Sequence, residues 1–476
     1  MAVTRPNEFV TLDIESIAFE GVAVARHEGR VFFVKGGLPQ EKVIAKILRK
    51  KKSYVEAQVE EILIKSDERI EPVCEHFGVC GGCSWQNLNY SSQLFWRKKH
   101  IEDAFQRIGK ITPGVIFEPM MPPKIYDYRN KMEFSFGASR WLTGEEINLA
   151  SEVLNKNFTL GLHIPGRFDK VLDIYDCKLQ PQLWNDVINF VREKALKFGL
   201  TCNNEKSHEG FLRGLVFRRS EYSAETMVIL ITTTPLKETE NEFLDWFKKE
   251  FTSLFPSITH IIHAVNNSWS PIAFGECDYI KGSEYLTESI LGVMYRISPF
   301  SFFQTNSSQL DGFISKILEF ADLKSNEVLW DLYCGTGSIS LPAARQCKEV
   351  FGIELVESSI KDATHNAEIN EICNAIFICE DLHSKKVGEL LTSLPKPDKI
   401  IIDPPRAGMH PNLADYMLNS GVGTIVYVSC NPATQARDCA LLSENYEVVK
   451  VQPVDMFPQT YHVESIALLK RRNNAG

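Results

Sequence analysis

The sequence predicts an α/β protein in three parts. A small N-terminal β-barrel covers residues 1–66, a central α/β unit covers 67–290, and a doubly wound, Rossmann-like parallel sheet covers 291–476. Three observations carry this. Short apolar runs broken by Gly and Pro fill the first 65 residues. Three cysteines crowd into residues 74–83. From Glu327 onward, strand-like and helix-like stretches alternate, which is the pattern of a parallel sheet. At 476 residues the chain is also longer than one core can fill.

Composition bounds the rest. Hydrophobic content of 44% and charged content of 24% are those of a globular protein. The first residues hold no apolar segment of the export type, and no stretch approaches a membrane span. The 12 cysteines are dispersed, so they are expected to be reduced, and the clustered ones to be ligands or catalysts. A cytoplasmic monomer with no membrane partner is the expectation. The net charge of −9 argues, taken alone, against a nucleic-acid partner. That average hides a local excess of base in the first 65 residues, where Arg49, Lys50, Lys51 and Lys52 stand together.

Taken in order, residues 9–14, 22–27, 30–34, 41–49 and 54–64 read as strands of a small antiparallel barrel. The basic run with Tyr54 supplies phosphate contacts and a ring on which a base can stack; a solvated basic turn is the plainer reading. Next comes Cys74-x5-Cys80-x2-Cys83 with Gly81 and Gly82 between the last two. Three thiols this close form a metal or cluster loop. A fourth ligand has to come from elsewhere, with Cys177 the nearest later cysteine and Cys202 its competitor. His76 is read as a loop residue rather than a ligand. Four thiolates suit tetrahedral zinc or an iron–sulfur cluster, and the three-plus-one layout looks more like a cluster. Helical spacing follows over 90–108, ended by Gly109. The central unit has strands at 132–136, 211–220 and 226–234 and a helix at 244–255.

In the C-terminal part, strands are expected at 327–333, 349–355, 375–381, 399–403, 424–430, 447–454 and 464–470. The last two have little between them, so the final strand is expected to be antiparallel. Asp331-Leu-Tyr-Cys-Gly-Thr-Gly ends the first strand, where glycines let backbone approach a ligand and Asp331 can accept from it. Glu354, 19 residues past Gly335, sits where an acid meets ribose hydroxyls, and Asp381 where one meets an adenine amino group. With no phosphate-binding Lys-Ser/Thr, the ligand reads as S-adenosylmethionine rather than a dinucleotide. Asp403-Pro-Pro-Arg406 stiffens the fourth strand's exit. Cys430, ending the fifth strand, stands at the sheet edge where ligands bind, although a buried structural thiol is the plainer default there. A thiolate of this kind is what methylation at C5 of uracil requires. Addition to C6 makes C5 nucleophilic, and a base then removes the C5 proton. Glu464, with His462 beside it at the entry to the last strand, offers that base.

These motifs together resemble the class I RNA (uracil-5-)-methyltransferases that carry a TRAM domain and a [4Fe–4S] cluster, most closely the 23S ribosomal RNA enzymes. The likeness rests on residues 8–65, the cysteine loop, Tyr128-Arg-Asn-Lys131, Ser298-Pro-x3-Phe-Gln304-x-Asn306, Asp331–Gly337, Asp403–Arg406, Ser429-Cys-Asn-Pro and Pro458-x-Thr-x-His-x-Glu464. It implies Cys430 as nucleophile and Glu464 as the base. It implies Cys74, Cys80, Cys83 and Cys177 as cluster ligands. It implies cofactor contacts at Gln304, Tyr333, Ser338, Glu354 and Asp381, with Asp403 beside cofactor and target base and Phe302 stacking on RNA. Ser338 stands where relatives often have Asn. The competing readings are a transfer RNA uracil methyltransferase, an exocyclic-amino methyltransferase using Asp403-Pro-Pro, and a non-catalytic RNA-binding or assembly factor.

Overall fold

The structure is a computed structural model that describes residues 8–148, 155–269, 273–384 and 386–472. Residues 1–7, read above for an export signal, lie outside them. No described helix is long and apolar enough to cross a membrane.

The N-terminal strands are β1 (Phe9–Ile17), β2 (Ala23–His27), β3 (Arg30–Lys35), β4 (Lys42–Lys50) and β5 (Tyr54–Ile64), closed in the order β1-β2-β3-β5-β4. Alternate residues such as Leu12, Ile14, Val34, Val43 and Val55 fill the interior. The expectation of a wholly antiparallel barrel is corrected at one seam, where β3 and β5 run parallel. A closed ring of five strands cannot alternate direction at every junction, so one pair must be parallel.

Helix α1 (Tyr90–Asp103) is followed by a wider π-turn over Ala104–Gly109, where an unbroken helix to residue 108 was expected. Asn89 caps α1 by accepting from the Ser92 N–H at 2.9 Å. Gly109 does more than end the segment. A side chain there would meet the Ala436 carbonyl at 2.8 Å, so glycine permits tight packing on the helix Pro432–Leu441. The chain then adds β6 (Val115–Ile116) to the far edge of the C-terminal sheet. Residues that the sequence boundaries assign to the central unit therefore complete the last one.

The central sheet comprises β7 (Lys131–Gly137), β8 (Thr159–Ile164), β9 (Arg167–Asp173), β10 (Leu212–Arg219), β11 (Thr226–Thr232), β12 (His260–Val265) and β13 (Glu276–Lys281), in the order β13-β12-β11-β10-β7-β8-β9. The helix Gln182–Lys197 packs against it. The expected helix at 244–255 starts earlier, at Glu238–Trp246, and passes through a π-turn at Phe247–Phe251. A hairpin of β14 (Leu286–Ile290) and β15 (Val293–Ile297) leads to the last unit.

That unit holds β16 (Val328–Leu332), β17 (Glu349–Glu354), β18 (Ala375–Cys379), β19 (Lys399–Ile402), β20 (Thr424–Ser429), β21 (Tyr446–Val454) and β22 (Glu464–Arg471). The order is β18-β17-β16-β19-β20-β22-β21-β6. The first five strands are mutually parallel, and β22 is antiparallel to both its neighbours, as expected. The continuous apolar runs of β19 and β20 are buried on both faces, which is what a doubly covered parallel sheet demands. One core joins the hairpin and the helix Ser307–Ala321 to one face, and a second packs α1 against the other.

Candidate active site

Parallel strands end on one edge, so their exits gather there. Asp403 and Cys430 are the first residues past β19 and β20, and Asp381 is the second past β18. The antiparallel pairing Ser429↔Ser465 sets Cys430 beside Glu464, the first residue of β22. A cavity of about 500 Å³ opens here, walled by Gln304, Tyr333, Glu354, Asp381, Asp403, Cys430 and Glu464, together with Phe302, Arg406, Phe457 and His462. Ser338 is not among the lining residues. Asp331 departs from its expected role. It is fully buried, does not reach the cavity, and accepts from the Ser340 hydroxyl at 2.5 Å, so it braces the turn from below.

Backbone constraint shapes the wall. Tyr333 holds φ at 65° and its N–H donates to the Ile353 carbonyl at 2.9 Å, turning the chain sharply between β16 and Gly335. The Glu354 carboxylate accepts from the Gly335 N–H at 3.2 Å and the Val356 N–H at 2.9 Å, which fixes that loop to the next. Asn431 caps the helix Pro432–Leu441 by accepting from Ala433 N–H at 3.0 Å, while its amide donates to the Arg406 carbonyl at 3.2 Å. The loops carrying Asp403 and Cys430 are thereby tied together. Beneath them, buried Asp438 accepts from the Met409 N–H and the Tyr427 hydroxyl, each at 2.7 Å.

The charge pattern is unusual. Burial, helped by Asp403 and opposed by Arg406, pushes the Glu464 carboxyl up to about 8. Burial raises Asp403 to about 7, and raises Asp331 to about 7 against the pull of Ser340. The Cys430 thiol stands at about 11, raised by burial, then by Glu464 and Asp403, with Arg406 acting the other way. These acids hold a proton more tightly folded than unfolded. Each contributes stability that is complete below the ordinary carboxyl range and is lost as pH rises through about 7 to 8. His100, His263 and His462, held down at about 4, work the opposite way up to about pH 6.5, so chemical denaturation is expected to show stability falling between about pH 6.5 and about pH 8. Glu464→Gln should flatten that fall by up to about 1.4 kcal/mol per pH unit crossed.

The β21–β22 connection is held from behind by residues that sequence reasoning missed. Arg97 on α1 is fully buried. It donates to the carbonyls of Thr460 at 2.8 Å, Phe457 at 3.2 Å and His462 at 3.3 Å, and pairs with Asp455 at 3.2 Å. Tyr90 donates to the same Asp455 at 2.8 Å. The N–H groups of Ser84 and Trp85, just after Cys83, donate to the Gln459 carbonyl at 2.9 and 3.0 Å. Nothing local marks Arg97 for this, since helical arginines are usually exposed.

A second cavity, of about 380 Å³, is lined by Cys74, Cys80, Cys83 and Cys177 together with His76, Arg129 and Phe302. Cys202 is elsewhere, buried with its thiol directed at the Thr159 carbonyl. Gln86 bridges the loop, donating to the Cys83 sulfur at 3.2 Å and accepting from the Cys74 N–H at 3.2 Å. Burial pushes all four thiols up, Cys83 to about 11 and Cys177 to about 12. Among the described residues, no three His, Cys, Asp or Glu side chains converge on a single-ion site. On the barrel, Arg49 and Lys52 are exposed, Lys50 pairs with Glu8 at 2.6 Å, and Tyr54 meets Phe33 edge-on at 5.3 Å.

Comparison with known proteins adds the following. The family model described as tRNA (uracil-5-)-methyltransferase matches residues 271–472. An uncharacterised RNA methyltransferase of Bacteroides thetaiotaomicron is 42% identical over 460 residues, spanning 96% of this chain and 100% of that one. One from Chlorobaculum tepidum is 39% identical over 449 residues, spanning 93% and 92%. The crystal structure of Pyrococcus abyssi tRNA (uracil-54, C5)-methyltransferase in complex with S-adenosyl-L-homocysteine superposes with a TM-score of 0.72 at 27% identity, over 96% of this chain and 99% of that one.

Proposed function

The chain belongs to the RNA (uracil-5-)-methyltransferase family, and from that premise we propose that it transfers a methyl group from S-adenosylmethionine to C5 of a uridine in RNA, through a covalent bond between Cys430 and C6 of the base. The observation that carries this reading is the β20–β22 register, which sets a thiol and a carboxyl side by side in the cavity lining. The Cys430 thiolate adds to C6, and C5 takes the methyl group from the sulfonium. The Glu464 carboxylate removes the C5 proton, the C5–C6 double bond re-forms, and the C6–S bond breaks to release the thiolate. An ionised Asp403 accepts from uracil N3–H, a group cytosine lacks. Glu354 faces the ribose of the methyl donor and Asp381 its adenine, with Gln304 and Tyr333 completing the wall; Ser338 is assigned no contact. A duplex hides C5 and C6, so the target uridine is unpaired or flipped into the cavity.

Cys74, Cys80, Cys83 and Cys177 would hold a [4Fe–4S] cluster. The fit rests on four half-buried thiols that line one cavity, the donor set that such a cluster takes. Bound there, it would cross-link the cysteine loop to the central sheet. Anaerobically purified protein is expected to carry about four iron and four labile sulfide per chain; stoichiometric zinc would overturn this assignment. The barrel, a TRAM domain on this reading, offers Arg49, Lys52 and Tyr54 to the RNA backbone and bases.

Ribosomal RNA is the proposed target pool, on the motifs of the sequence. Transfer RNA is the second reading, favoured by the full-length likeness to the archaeal transfer RNA enzyme. Nucleoside mass spectrometry of both pools from cells lacking this protein tests the choice. Loss of 5-methyluridine from ribosomal RNA alone is expected. Loss from transfer RNA alone would establish the second reading, and loss from neither would overturn the proposal.

A further inference from the structure

His462 lines the active-site cavity two residues before Glu464, and the chemistry proposed above leaves it without a task. Its place is closely defined. The backbone N–H donates to the Thr460 hydroxyl at 3.2 Å, and the carbonyl accepts from Arg97 at 3.3 Å. The ring lies against Tyr461 at 4.1 Å and meets Phe457 edge-on at 5.9 Å. On its open side, Nη2 of Arg406 stands 3.5 Å from both ring nitrogens. Arg406 in turn is the cation that faces the Cys430 thiol, against the carboxyls of Glu464 and Asp403.

An exposed arginine samples many rotamers, and holding one of them costs side-chain entropy. The Arg406 backbone is pinned, since its carbonyl accepts from Asn431 at 3.2 Å and Thr434 at 3.3 Å. The guanidinium stands between the imidazole and the Cys430 thiol, to which it also donates. We propose that His462 is a positioning residue for the nucleophile: its imidazole backs the Arg406 guanidinium, turning that cation toward the Cys430 thiol, while Arg97 fixes the His462 backbone from behind. The inference rests on Cys430 being the nucleophile. It requires the imidazole to stay neutral beside a guanidinium, and the surroundings secure this. Burial first, then the positive charges of Arg406, Arg129 and Arg97, push His462 down to about 4. Around neutral pH the ring is an acceptor that supports Arg406 and does not repel it.

The test reads the thiol and not turnover. Alkylation of Cys430 by iodoacetamide is followed against pH in the full-length protein by peptide mass spectrometry, with S-adenosylhomocysteine affinity measured alongside. His462→Gln, which keeps an acceptor of similar reach, is expected to hold the wild-type profile. His462→Leu is expected to slow alkylation near neutral pH by about three- to tenfold and to move the midpoint upward, because the thiolate is the reactive form. His462→Asn, polar but too short to reach the guanidinium, is expected to match the Leu variant, and decides the matter if that variant no longer binds S-adenosylhomocysteine. Wild-type profiles in the Asn and Leu variants, or an equal loss in the Gln variant, would overturn the inference. Cys430→Ala that still methylated RNA would instead end the nucleophile reading itself.

Discussion

Cys430→Ala is expected to lower methyl transfer to RNA by about 10⁴-fold or more, since among the described residues no other thiol lines the cavity. S-adenosylhomocysteine should bind as before, because two strands of the sheet separate the strand that ends at Cys430 from the one that ends at Glu354. The sharper readout is covalent. RNA carrying 5-fluorouridine at the target keeps its fluorine where the C5 proton would leave, so wild-type enzyme should be trapped on it as a denaturant-resistant complex. The Ala variant should form none. An exocyclic-amino methyltransferase would show the opposite pattern, with turnover retained and no trapping in either protein.

Glu464→Gln is expected to separate the two halves of the reaction. The amide cannot take the C5 proton, so methylation should proceed to the adduct and stop there. The covalent complex should then accumulate with ordinary uridine RNA, and turnover should fall by about 10²- to 10⁴-fold. The pH dependence has a defined sign. A carboxyl held up at about 8 is largely protonated in the free enzyme near neutrality. Release of product should quicken as pH rises through that value in wild type and lose this step in the Gln variant. Normal product release by Glu464→Gln would place the base elsewhere.

Much of this arrangement is legible from sequence, for identifiable reasons. Cys430 and Glu464 are 34 positions apart, yet their juxtaposition follows from an apolar strand running into Cys430 and a final strand too close to its predecessor to cross over. The barrel strands emerge within a few residues of their expected bounds because Gly and Pro punctuate them. What escapes the sequence is what depends on distant partners. A two-residue strand such as Val115–Ile116 has no periodicity to detect. Asp331 has the look of a ligand residue, and only the packing shows Ser340 occupying its carboxylate. Arg97 belongs to a polar-looking helix, and its burial is visible only once the last hairpin covers it. The cysteine loop falls between these cases. Its three local thiols are evident, whereas the choice of Cys177 over Cys202 needs the fold to bring one of them to the cavity.

The clasp between Arg97 and the β21–β22 connection has a consequence for biosynthesis. The arginine's acceptors lie 360 to 365 positions downstream, so they are made long after it. Until they arrive, a cation destined for full burial has no carbonyl cage and no Asp455, and burying it unpaired costs several kcal/mol. Arg97 therefore stays solvated until those residues are made. A polypeptide truncated before Thr460 lacks the Thr460 and His462 acceptors and cannot complete this clasp. The same bonds that shape the cavity's edge thus couple its closure to the arrival of residues far along the chain.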